Sequence, residues 1–162
     1  MTDNVIEAIR TLLKNKIQTA TKPIKNIKKV FYGDPVLIPT ADMPSICVMP
    51  ANNETTARGS RIDNRSGSIT IKLVFNIKDD MGGSDPEKID WTKKAVQIME
   101  EMDGGKYHAE SIMGILRNDP TLSGTVEMIT ANSIEYAFEG KRESPTYEAT
   151  MKVNFIAVGD RF

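Results

Sequence analysis

The chain has 162 residues, 40% of them hydrophobic and 27% charged, with a formal net charge of −1 at pH 7. That length suits a single domain, 1–162, able to bury a core without staples, and the composition argues against disorder over most of the chain. One cysteine excludes an internal disulfide, one histidine removes most metal-site arithmetic, and near-neutrality supplies no global basic field for nucleic acid.

Val5, Ile9, Leu12, Leu13 and Ile17 gather one apolar stripe and predict a first helix. Asn4 with Glu7 forms a capping box at its start, Lys14 and Lys16 suit its C-terminal end, and Pro23 stops it. A strand over Ile27 to Tyr32 follows, then a turn at Gly33-Asp34-Pro35. Pro39 and Pro44 make Val36 to Pro44 an extended loop. Ser45 to Met49 is a short apolar strand closed by Pro50. The stretch 51–67 is polar throughout and is expected to be an extended hairpin arm or a mobile loop, with little apolar anchor when the subunit is free.

From Ser68 to Ile77, Ile69, Ile71, Leu73, Phe75 and Ile77 alternate with Thr70, Lys72, Val74 and Asn76, which predicts a strand with one buried face and one mostly wet face. A second helix starts at Ser84 or Asp85, with Ser84 and Glu87 as a capping box. Trp91, Ala95, Ile98, Met99 and Met102 form its stripe, and Gly104-Gly105 ends it. A short helix over Ala109 to Arg117 is cut by Asp119-Pro120. Val126 to Phe138 and Tyr147 to Ala157 alternate again and predict a long C-terminal hairpin about the turn Gly140 to Pro145. The order α, β, β, β, α, α, β, β predicts an α+β fold: a mainly antiparallel, mixed sheet with helices packed on one face, and a polar β-arm.

Catalysis needs convergent groups, and few are present. His108 has no Gly-x-Ser-x-Gly elbow beside it and is assigned a surface or capping role. Gly82-Gly83 precedes a helix, but no Lys-Ser/Thr pair follows to make a phosphate loop. The pairs Asp79-Asp80 and Glu100-Glu101 are adjacent residues whose side chains diverge. Cys47 lies in an apolar run as a buried thiol, and the second helix's methionines have core spacing. No enzyme, cofactor or metal is expected. No apolar stretch reaches the roughly 18 residues needed to span a membrane. The opening Met1-Thr2-Asp3-Asn4 lacks signal-peptide order, so a cytosolic product is expected.

Charge is unevenly spread. Between Ala8 and Gly33 lie seven basic residues, Lys28 and Lys29 among them, and no acid, whereas acids including Asp79 and Asp80 dominate from Asp79 to Asp103. A solvated surface explains both; opposite patches meeting across copies of one subunit would also set a register. Arg58, Arg61 and Arg65 suit carboxylate or phosphate, in an intersubunit contact or with nucleic acid, although Glu54 and Asp63 interrupt them and no aromatic is present for base stacking.

The ordering carries more than any one residue. The first helix leads to Val30-Phe31-Tyr32-Gly33-Asp34-Pro35, and a loop ending Ala41-Asp42-Met43-Pro44 feeds Ser45-Ile46-Cys47-Val48-Met49. After the polar arm come Ile69 to Phe75, a helix beginning at Asp90-Trp91, and a hairpin ending Val153-Asn154-Phe155-Ile156-Ala157. This layout resembles the lambda-type tail terminator, or tail completion, proteins of long-tailed phages over nearly the whole chain. The resemblance implies a mixed α/β sheet flanked by helices and a hexameric ring, monomeric when free, that caps the tail tube. It implies tail-tube, head-connector or neck, and tape-measure proteins as partners, a place in the virion after assembly in the host cytoplasm, and no catalytic residues. It implies no sequence-specific nucleic acid partner. This chain is longer, mainly in the polar arm and the basic segment. The other readings are a different tail-tube, neck or head-completion subunit, or a nucleic-acid-binding accessory protein using Lys22 to Lys29 and the arginine arm.

Overall fold

The computed structural model describes residues 2–35, 37–57, 62–77, 90–140 and 145–160, and at 52–57, 62–65, 90–91, 132 and 158–160 the description is of the backbone. The apolar stripe of the first segment folds as α1, Thr2–Thr19, which buries Val5, Ile6, Ile9 and Leu13. The helix begins at Thr2, so Asn4 sits inside its first turn rather than capping it. Glu7, freed from a capping box, pairs with Arg10 one turn on at 2.7 Å. A short 3-10 turn, Pro23–Asn26, then leads into β1, Lys29–Tyr32.

β1 pairs in parallel with β2, Ser45–Ala57. A parallel pair needs a crossover rather than a tight turn. Residues 33–44 supply it, with a single 3-10 turn at Thr40–Asp42. β2 does not stop at Pro50 as expected. The missing proline N–H is tolerated because the register shifts between Pro50 and Asn52, and the strand resumes beyond the irregularity. β2 then pairs with β3, Ile62–Asn76, so of the two forms open to 51–67 the described residues 51–57 and 62–67 take the paired arm.

α2 spans Asp90–Glu100; the start expected at Ser84 or Asp85 lies outside the described residues. Ala95, Ile98 and Met99 are buried as the stripe requires, but Met102 is exposed. It lies beyond the helix in β4, Met102–Asp103, which pairs with β5, Lys106–Tyr107. Gly104 and Gly105, at φ +58° and +83°, supply the left-handed turn of that small hairpin. α3, Ile112–Asn118, starts later than expected because Ser111 is its N-cap, its hydroxyl accepting from Gly114 N–H at 3.1 Å.

The chain closes with β6, Met128–Glu139, and β7, Thr146–Asp160, paired antiparallel with an irregularity between Ala131 and Ile134. The main sheet has the order β1-β2-β3-β7-β6, and every neighbour pair except β1–β2 is antiparallel. The fold is α+β, as the element order predicts. Residues from α1, α2 and α3 share one apolar cluster with Ile46, Ile69, Ile71, Met151 and Phe155, so the helices cover one face of the sheet. On the other face Ile38 and Met43 of the crossover pack on Cys47 and Val74 in a separate cluster.

Candidate functional site

The two outer strands of the sheet are built differently. β1 is four residues long and lies under α1, with the Arg10 guanidinium donating to Val30 O through Nε at 3.2 Å and Nη2 at 2.9 Å. Between α1 and β1 runs a groove of about 470 Å³. Ile17, Ile27, Val30 and Phe31 line it together with the cationic Arg10, Lys14, Lys28 and Lys29. Both Lys28 and Lys29 are exposed, and no carboxylate among the described residues pairs with them or with Lys14. A lining that mixes apolar and cationic side chains suits an extended, acidic partner that also offers an apolar side chain.

β6, at the opposite edge, is 12 residues long. At its start Ile129 N–H donates to Pro120 O at 2.8 Å, so the loop after α3 closes that end. Beyond the irregularity no described strand lies outside Ile134–Glu139. Val126 to Gly140 contains Glu127, Glu135 and Glu139 and no basic residue; Lys141 and Arg142, next in sequence, lie outside the described residues. Phe138 is 66% exposed although its ring meets Tyr147 edge-on at 5.4 Å. Tyr136 stacks on the same ring, and burial, followed by the Glu100 carboxylate beside it, holds its hydroxyl protonated well above the usual tyrosine range. Of the devices that commonly blunt such an edge, β6 has the irregularity before Ile134 and the charges of Glu135 and Glu139, but no lysine or proline.

The residues singled out from sequence are not gathered in one place. Lys28 and Lys29 sit together in the groove lining. Arg65 has a backbone position in β3, opposite Thr55 and Ala157. Arg58, Arg61, Asp79 and Asp80 lie outside the described residues. Part of the opposition between basic and acidic segments is used up within the chain, because Lys22 pairs with Glu101 at 3.5 Å. Glu100 and Glu101 diverge as adjacent residues must, one toward Tyr136 and the other toward Lys22.

His108 has a structural role. Its Nδ1 accepts from Glu110 N–H at 3.0 Å, and its carbonyl accepts from Ser111 N–H and Oγ at 3.0 and 2.8 Å. That carbonyl lies so close to Gly114 that a Cβ there would fall 1.9 Å from it. The Glu110 carboxylate accepts from Thr21 N–H, Thr21 Oγ1 and Lys22 N–H at 3.0–3.2 Å, and the Thr21 amide above all holds it below its ordinary range. Tyr32 donates to Asp3, and this bond raises the phenol. Among the described residues no three His, Cys, Asp or Glu side chains gather as metal ligands, and no helix is long and apolar enough to cross a membrane.

Sequence reasoning missed a buried ionic group on the crossover face. Lys72 Nζ lies 2.9 Å from Asp34 and 3.6 Å from Glu148, and Thr146 Oγ1 donates to Glu148 at 2.8 Å. The Glu148 side chain is 2% exposed. Its signal was Val74 and Cys47 on a face otherwise polar, which marks that end of the sheet as covered. Compared with protein-family models and with curated proteins, the chain matches none.

Proposed function

We propose that this chain is a structural virion subunit of the tail-terminator type: it forms a ring on the tail tube of a long-tailed phage, ends tube growth and offers the surface that joins the head connector. The likeness of element order and motifs along the sequence supports this reading, as does the α+β fold. The observation that carries it in the geometry is one sheet with two unlike outer strands, β1 beside a basic groove with its Val30 carbonyl held by Arg10, and the acidic β6. A ring is closed by head-to-tail contacts between two different patches on each subunit. A subunit with one self-complementary patch would instead stop at a dimer. The partners are further copies, the tail-tube protein, the neck and the tape-measure protein, and the chain performs no catalysis.

Light scattering on size-separated protein, with and without purified tail tubes, tests this. The expected outcome is a monomer or weak oligomer alone and a ring of defined mass at tube ends. Binding along the length of the tubes would assign the chain to another tube or neck component. A strict monomer that never meets tube ends sinks the ring. The cationic groove lining also favours a second reading, an accessory protein on nucleic acid, whose binding to plain duplex would weaken steeply with salt. No shift of duplex at low salt eliminates that reading.

A further inference from the structure

The pairing registers place the two outer strands at the same height. Across the sheet, Val30 is in the row Ile46, Leu73, Ala149 and Tyr136, and Lys29 is in the row Ser45, Val74, Glu148 and Ala137. The four residues of β1 therefore share rows with Ile134 to Ala137 of β6, the part of β6 beyond its irregularity. The strand directions alternate so that β1 and β6 run opposite ways.

We infer that β6 of one copy docks antiparallel along β1 of the next, with Phe138 entering the α1–β1 groove and Glu135 and Glu139 flanking Lys29. The inference rests on the ring reading and names the contact that builds it. Cyclic rotation about an axis along the strands moves a subunit sideways without a shift along the axis. It keeps strand directions, so the β6 and β1 edges of neighbours meet antiparallel and level. The side-chain faces agree as well. Val30 belongs to the helix-side cluster and Phe31 to the crossover-side cluster, so alternation puts Lys29 on the crossover side. Tyr136 belongs to the helix-side cluster, so Phe138 lies on that side and Glu135 and Glu139 on the other.

Lys29 is then level with Ala137, with a glutamate two residues away in each direction, a diagonal spacing that long side chains span. Phe138 projects on the side where the groove opens between α1 and β1. Arg10 already holds the outward Val30 carbonyl, so main-chain pairing is limited to the remaining outward groups of β1; the aromatic anchor supplies most of the specific energy, and the charges fix the register.

Reversing charge tests the contact. Lys28→Glu/Lys29→Glu and Glu135→Lys/Glu139→Lys each place like charges across it and should raise the concentration for half-assembly roughly tenfold or more, read by sedimentation velocity at low salt. Mixing the two variants pairs each altered edge with its complement and should restore assembly, as should all four substitutions in one chain. Circular dichroism checks that each variant folds. A disulfide pair that spares the anchor, Lys29→Cys with Ala137→Cys in one chain, joins two positions in the same row and should give a ladder of covalent oligomers on oxidation even where free association is weak. Assembly that is indifferent to the reversals, not restored by mixing, or without a ladder overturns this contact and leaves the ring to another surface. A wild-type chain that stays monomeric with tail tubes, and gives no ladder, overturns the ring and the contact together. Retention on plain duplex at low salt, lost on reversing Lys28 and Lys29 in a chain that gives no ladder, assigns the groove to phosphates and also overturns it.

Discussion

Leu73 and Val74 are neighbours in β3, both fully buried, and they belong to different worlds. Leu73 joins the continuous cluster shared by α1, α2, α3 and all five strands of the main sheet. Val74 joins a cluster of four buried residues closed by the 33–44 crossover. Beside it the same cover shields Lys72 and Glu148, an ion pair with Asp34 as a second acid. One face is thus stabilised by removal of apolar area from water, and the other depends on charges being matched. On the crossover face, loss of one member of the Lys72, Asp34 and Glu148 group leaves a buried charge unmatched.

The largest expected effect compares the two truncations directly. Leu73→Ala should cost about 3 kcal/mol, because a well-packed cluster between helices and sheet relaxes little around the lost atoms. Val74→Ala removes less and leaves its gap under a loop that can settle, so about 2 kcal/mol or less is expected. Urea unfolding of both variants measures the difference. Equal losses would show that the crossover packs as firmly as a helix.

A second comparison isolates the ionic group. Lys72→Met leaves the Glu148 carboxylate buried without its ammonium and should cost about 2 kcal/mol, below the full penalty of a sealed pair because the Lys72 and Asp34 side chains keep 12% and 22% exposure. Lys72→Met with Glu148→Leu removes the buried charge as well and should recover at least half of that loss. A double variant as unstable as the sum of its parts would mean that the two groups do not act as a pair.

These regions differ in how legible they were from sequence. Local periodicity placed α1, β3 and the long hairpin, since a stripe or an alternation follows from the chain's own spacing. It failed where a partner decided. β2 runs through Pro50 because β3 accommodates the bulge, and Met102 leaves the helical stripe because Gly104 and Gly105 turn the chain back first. Lys72 and Glu148 alternate with buried residues and so looked solvated, since nothing nearby in sequence says that residues 33–44 fold over them. For the candidate site, Lys28 and Lys29 stood out as part of a run of bases. Glu135 and Glu139 did not, because the acids from Asp79 to Asp103 are denser and because the level of β6 relative to β1 is set by four pairing registers at once.

Glu110 offers the smallest effect and the sharpest contrast with Glu148. It is a carboxylate on the helix side, near the surface, held by backbone donors of the segment after α1 rather than by a buried cation. Those bonds lower its pKa, led by the Thr21 amide. A group whose folded pKa is depressed lends stability that is present above its unfolded value, near 4.5, and is lost as pH falls through the folded one. Glu110→Gln should therefore cost under about 1 kcal/mol at pH 7, since an exposed hydrogen-bonded carboxylate is well screened. The gap between variant and wild type should narrow as the pH falls below about 4.5 and close only once it has passed through the lowered folded pKa, where the wild-type carboxyl takes up its proton. Unfolding midpoints at pH 7, 5 and 3 measure it. A gap that persists unchanged at pH 3 would show that the charge of Glu110 contributes nothing and that its shape alone ties α3 to the end of α1.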